Sequence, residues 1–236
     1  RPKAVHMAMA EPIRTSMLQR PMTTDSHILT LTQWLSPAFP VGAFAYSHGL
    51  ETAIQSGAIA TPGDLQAWLS DVLLYGSGRN DCILLRAAHA CDTRAAVLET
   101  NETALALAAC QERRLETMHQ GSAFCKTTAA IWGGDALELV YPVAVGAAAA
   151  HLKIPVTLTC AMYCQAIAGN LVSAAVRAVP LGQTGGQAVL AALTPLCAEI
   201  AKDCQTATLD DLQSSAFLSD IAAMKHETLQ PRIFRT

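Results

Sequence analysis

Aromatic side chains are scarce in this chain. Phe, Tyr and Trp supply 5% of 236 residues although 51% are hydrophobic, so a core must be assembled mainly from Ala, Leu, Val and Ile. A chain of this length can bury a sizeable core, and one domain is the default. Alternating runs of Val, Ile, Tyr and Phe are also few, which argues against a sheet. Alanine loses no side-chain entropy in a helix and packs poorly on a pleated surface. The expected fold is all-α, a single-domain helical bundle.

Other absences narrow the function. The eight cysteines (Cys82, Cys91, Cys110, Cys125, Cys160, Cys164, Cys197 and Cys204) contain no CxxC pair and are scattered through apolar helical stretches. They read as reduced core residues and, with no secretory signal, point to the cytoplasm. Cys160 and Cys164 share a helix face and His89 lies two residues from Cys91. No second ligand pair accompanies them, so a buried structural role outweighs a soft-metal site, and neither a metal site nor a cofactor is expected.

Charge of one sign is short as well. Arg1, Lys3, Arg14 and Arg20 against Glu11 alone give residues 1–21 a net charge of +3, so against a formal total of −3 the remainder carries −6. That remainder has no cationic stripe, which excludes nucleic acid as a partner. Residues 1–21, broken by Pro2, Pro12 and Pro21, read as an N-terminal extension outside the fold, either an added or upstream segment or a basic targeting peptide. Met22 reads as the start of the folded part, 22–236.

No catalytic constellation stands out. Gly182-Gln183-Thr184-Gly185-Gly186 lacks the lysine of a P-loop and follows nothing strand-like. Ser47 and His48 are adjacent, would diverge on a helix and have no evident third group, so a hydrolase built on them is an alternative reading only. His226-Glu227 is half of a zinc-helix motif without a second histidine four residues on. The chain reads as a non-enzyme. The uncharged stretch from Ile154 to Val176 is long enough to span a bilayer. Thr157, Thr159, Gln165, Asn170 and Ser173 interrupt it and Pro155 opens it, which favours a buried central helix over a small helical membrane protein.

Helices can be placed coarsely. Ile28, Leu31 and Leu35 recur at helical spacing up to Ser36-Pro37, where proline disfavours helical geometry in the preceding residue. A helix follows over about 46–55, closed by Gly57. Thr61-Pro62-Gly63-Asp64 reads as a capped helix start, and two helices follow, split near Gly76-Ser77-Gly78. Residues 102–131 form the longest candidate, with Glu112, Arg113, Arg114 and Glu116 read as a solvated face. Further helices fit 143–151, 156–179, 186–203 and about 209–225, with Lys225 and His226 at the negative end of the last dipole.

The C-terminal residues combine cations, a histidine and two apolar groups. His226, Glu227, Arg232, Ile233, Phe234 and Arg235 read either as a tail awaiting a partner or as one tucked onto its own domain. A partner would bury Ile233 and Phe234 and pair the arginines.

Four ordered blocks then resemble the urease accessory protein UreF family. These are Ser36-Pro37-Ala38-Phe39-Pro40-Val41-Gly42 running on to Tyr46-Ser47-His48-Gly49-Leu50-Glu51; Tyr141-Pro142-Val143-Ala144; Gly169 to Arg177 with Pro180-Leu181-Gly182-Gln183-Thr184; and His226-Glu227-Thr228 with Arg232-Ile233-Phe234-Arg235. The family often has Gly-Gly-Phe-Ser where this chain has Gly42-Ala43-Phe44-Ala45, and Tyr-Ser where it has Gln230-Pro231, a stiffer approach to Arg232. The resemblance implies a homodimeric, cytoplasmic, non-enzymatic scaffold. It would bridge UreD (UreH in some organisms) and the GTPase UreG, modulate GTP hydrolysis, and take part in nickel insertion into apo-urease. It also implies that the tail from His226 to Arg235 docks UreD and contributes little to the fold.

Overall fold

The structure, a computed structural model, describes residues 25–236; the extension assigned to residues 1–21 lies outside the described residues. Among the described residues there is no β-strand. In order come α1 (Asp25–Trp34), a 3-10 turn (Ala43–Ala45), α2 (Leu50–Gln55), α3 (Pro62–Tyr75), α4 (Ser77–His89), α5 (Arg94–Ala106) and α6 (Gln111–Trp132). Then follow α7 (Tyr141–His151), α8 (Val156–Ala178), α9 (Gly182–Asp203), two further 3-10 turns and α10 (Phe217–His226). The all-α expectation holds.

α8 forms the middle of the bundle, packing on α9 along much of its length and on α4, α2, α3 and α7. It is the one described helix long and apolar enough to cross a bilayer, yet 56% of its most apolar window is buried inside the protein. Cys160, Tyr163, Cys164, Ala168, Leu171, Val172, Ala174 and Ala175 all face inward from it. Small residues set the spacing elsewhere. A Cβ on Gly146 of α7 would lie 2.2 Å from the Leu85 carbonyl oxygen on α4, so backbone meets backbone there. Several of the rare aromatics are gathered in one place: Trp34 meets Phe124 edge-on at 5.3 Å, Phe124 meets Tyr141 at 5.8 Å, and Tyr141 meets Tyr163 at 5.3 Å.

The start of α3 follows its sequence. The Asp64 amide donates to Thr61 Oγ1 at 3.2 Å and the Thr61 amide to Asp64 Oδ2 at 2.9 Å, a reciprocal cap ahead of Pro62. Three expectations are corrected. The helix expected over 46–55 begins only at Leu50, because His48 (φ 55°) and Gly49 (φ 75°) take left-handed conformations. Glycine is required at 49 for space as well, since a Cβ would lie 2.4 Å from the Ala223 amide nitrogen of α10. The long helix expected over 102–131 is broken between Ala106 and Gln111. Ala108-Ala109 carries high helix propensity, so packing overrides it here. The helix expected over 209–225 is a 3-10 turn, Leu209–Asp211, then extended chain, then α10. Asn80 of α4 takes the place of helical partners for Gln213, donating to its carbonyl at 2.6 Å and accepting from its amide at 3.2 Å, and the Ser215 amide donates to the Tyr75 carbonyl.

Candidate functional site at the C-terminal segment

The tail is folded back on its own domain. It lies along the loop between α1 and α2 and the N-terminal half of α6, and backbone pairing starts the attachment. The Arg235 amide donates to the Ala45 carbonyl at 2.7 Å and the Ser47 amide to the Thr236 carbonyl at 2.8 Å. The Ser47 hydroxyl, fully buried, donates to the same Thr236 oxygen. Phe234 is 3% exposed and joins the core. Its ring lies 4.7 Å beneath the Arg177 guanidinium, which also stands 5.7 Å from the Phe44 ring and donates two hydrogen bonds to the Phe44 carbonyl.

Two buried carboxylates organise the junction. Glu51, 2% exposed at the first turn of α2, accepts the Ile233 amide at 2.7 Å, the Phe234 amide at 3.0 Å and His226 Nε2 at 3.2 Å. Burial pushes its carboxyl up, but the Phe234 and Ile233 amides and His226 outweigh burial and hold it below the usual range. His226, fully buried, also places Nδ1 2.7 Å from Glu112 Oε2, and Glu112 pairs with Arg232. Both ring contacts are hydrogen bonds only when each nitrogen carries a proton.

Glu116 is the second. Its oxygens meet His48 Nε2 at 2.7 Å and Thr236 Oγ1 at 2.8 Å, and it also binds Gln120 and the Arg113 guanidinium. Burial raises it, yet the positive charge of Arg113 and the contacts from His48 and Thr236 bring it down to about 2. Burial and Arg113 hold His48 below the usual histidine range, so the neutral ring donates its Nε2 proton to Glu116.

The sequence-predicted site residues are thus divided. His226 and Phe234 are buried within the chain, whereas Glu227, Arg232, Ile233 and Arg235 are exposed, Ile233 to 70%. Of the two readings of the tail, the structure has the one tucked onto its own domain, and with His226 and Phe234 in the core it contributes to the fold rather than little to it. The charged cluster on α6 is likewise not a solvated face: Glu116 is 2% exposed and Glu112 binds the tail. Ser47 is fully buried and its hydroxyl donates to the Thr236 carbonyl rather than to His48, whose Nε2 meets Glu116, so the two side chains are not hydrogen-bonded to each other. Residues that sequence reasoning missed are Glu51, Glu112, Arg113, Glu116 and Arg177. A signal existed for two of them, since Glu51 and Arg177 stand in quoted family blocks. Among the described residues no group of three or more His, Cys, Asp or Glu side chains is placed to hold a metal ion.

The UreF family model matches residues 59–194. The chain belongs to the UreF family. Similar proteins named urease accessory protein UreF include those of Ruegeria pomeroyi, 51% identical over 213 residues, covering 90% of this chain and 98% of that protein, and Roseobacter denitrificans, 52% identical over 215 residues, covering 91% and 96%. The Methylorubrum populi protein is 46% identical over 220 residues, covering 88% and 98%. The family match itself lies between the α1–α2 loop and the tail, so the two segments that close the junction flank it in sequence and meet in space.

Proposed function

We propose that this chain is a urease accessory factor of the UreF type, a homodimeric cytoplasmic scaffold without catalytic activity of its own. It bridges UreD (UreH) and the GTPase UreG and modulates GTP hydrolysis during nickel insertion into apo-urease, with nickel as cargo rather than a resident cofactor. The observation that carries the reading is the family match together with the outward face of the docked tail. With Phe234 and His226 anchored inside, Arg232, Ile233 and Arg235 are presented to solvent on a backbone held by Glu51 and Ala45. A pre-ordered segment loses less conformational entropy on binding than a free tail. Ile233 supplies an apolar contact and Arg235 a forked donor for carboxylates on UreD, while Arg232 is already paired with Glu112.

Co-expression with UreD, UreG and apo-urease tests this. Pull-down through UreD should recover this chain and, through it, UreG, and urease activity should depend on it. Recovery of UreG on UreD without this chain, or full urease activation in its absence, would sink the bridging role.

A further inference from the structure

Ala144, Ala147 and Ala148 recur at helical spacing on α7, and their side chains leave space beside the helix. A cleft of about 810 Å³ results, walled by α7, the last turns of α4 and α6 and the start of α5, a size typical of small-molecule sites. Val97, Trp132, Leu137 and Leu139 add to its apolar lining. Trp34 lines it too, edge-on to Trp132 at 5.6 Å. It is fully buried, and its indole N–H finds no acceptor in the protein. A buried donor normally has one, so the acceptor must come from what the cleft holds. No residue of the tail lines this cleft, so what it binds is a separate matter from docking at the junction.

The charged side chains of the lining, Arg94 and Lys153 against Asp92 and Asp135, are exposed and balance one another. The helix ends do not. α4, α6 and α7 finish at the cleft, but their last carbonyls are occupied. Those of α4 take the Ala90 and Cys91 amides, and those of α7 the Leu152, Lys153 and Ile154 amides. On α6 the Ala129 carbonyl takes the Gly133 amide, and the Trp132 carbonyl is 3.3 Å from His151 Nε2. The start of α5 is the opposite case. Thr93 caps the Ala96 amide alone, the first turn has no acidic residue, and Arg94 puts a cation at its first position. The positive end of that helix dipole therefore stands beside Arg94 without a counter-charge on its own turn. We propose that the cleft binds a small organic anion. Its flat apolar body lies on Trp132 and the α7 alanines. Its oxygens supply the acceptors that the cleft lacks, for the start of α5, for Arg94 and for the Trp34 N–H.

The test uses the isolated full chain and two probes of the same aromatic body, anionic 1-anilinonaphthalene-8-sulfonate and neutral N-phenyl-1-naphthylamine. Binding is read by probe fluorescence and by the indole N–H resonances of the three tryptophans, of which Trp68 lies outside the cleft. The expected result is saturable binding of one sulfonate per chain, with the Trp34 and Trp132 signals shifting and Trp68 unmoved, and weaker binding of the neutral probe. Ala148→Phe, which fills the cleft, should abolish binding of both. Arg94→Gln should weaken the sulfonate by about threefold, the scale of one exposed charge contact, and leave the neutral probe unchanged. Equal affinity for the two probes overturns the anion assignment. Absence of saturable binding, or shifts confined to Trp68, overturns the site itself, as does unaltered binding in Ala148→Phe. Should Ala148→Phe not fold, the tryptophan shifts in the unmodified chain decide the place and Arg94→Gln decides the charge.

Discussion

The bundle around α8 and the junction at the C-terminal segment are built from different materials. Around α8, alanines, cysteines and leucines supply most of the packing, and position is set mainly by shape: Gly146 lets α7 rest on the α4 backbone, and Phe124 fills the space between Trp34, Phe39 and Tyr141. At the junction, two buried glutamates, two histidines and several main-chain groups do the positioning, and Phe234 is the main apolar contribution. Dispersion and apolar burial are insensitive to pH and tolerant in direction. Buried carboxylates are directional and fail when one partner is lost. The bundle can therefore serve as a rigid base, while the tail's attachment is specific and able to be altered.

The largest expected effect breaks the bundle. Phe124 is fully buried and touches three aromatic rings. Phe124→Ala should destabilise the fold by about 3–5 kcal/mol, the usual cost of such a cavity. Denaturant unfolding followed by circular dichroism would measure it, and a loss under about 1 kcal/mol would mean that the aromatic cluster is not part of the cooperative core.

Next comes the junction itself. Glu51→Ala removes the acceptor of two amides and leaves His226 with one carboxylate, and should cost about 3 kcal/mol, toward the lower end for breaking a buried pair. The difference from Phe124→Ala should lie in where the loss appears. Hydrogen exchange should rise first at Ile233 and Phe234 while α8 stays protected. Uniform deprotection of both regions would erase the contrast between them.

Acid should separate the two regions without mutation. Glu116 is depressed from 4.5 to about 2, so its contribution is present above about pH 4.5 and is lost as pH falls toward 2. Asp81 runs the other way: raised from 3.8 to about 6, it favours the folded state at low pH and gives up that contribution as pH rises through this interval. Comparing the unmodified chain with Glu116→Gln isolates the first. The unmodified chain should be the more stable by a few kcal/mol at pH 5, and the gap should close toward pH 2. A gap constant from pH 5 to 2 would show that Glu116 does not hold its proton so weakly.

How much of this was legible in the chain differs between the same two regions. Thr61, Pro62 and Asp64 announced α3 because capping is local, and the apolar, alanine-rich composition gave the helical class. The break at Ala106–Gln111 was not legible, since Ala108 and Ala109 favour helix and only packing opposes them. The junction was least legible. Glu51 contacts residues more than 170 positions away, such as His226, Ile233 and Phe234, and no local pattern distinguishes a buried glutamate on a polar helix face from a solvated one. The Glu112 to Glu116 cluster looked like surface for that reason. The tail's amphipathic character was visible, but which of its faces is buried depended on Glu51 and Arg177.

The smallest effect on stability falls on the tail's outward face and sharpens the comparison most. Ile233 is 70% exposed, and only its amide, not its side chain, is needed for the bond to Glu51. Ile233→Ala should therefore change folding stability by less than about 0.5 kcal/mol, as for other surface substitutions. Phe234→Ala, one residue on, empties a buried ring site beneath Arg177 and should cost at least about 3 kcal/mol. If the outward face meets UreD, the two variants should trade places in a binding assay made under conditions where both are folded. Ile233→Ala would weaken capture by roughly 1–3 kcal/mol through lost apolar burial. Phe234→Ala would act on binding only through loosening of the segment. Should Ile233→Ala leave both stability and UreD capture unchanged, the exposed side chains of the segment have no part in docking, and the ordered tail serves the fold alone.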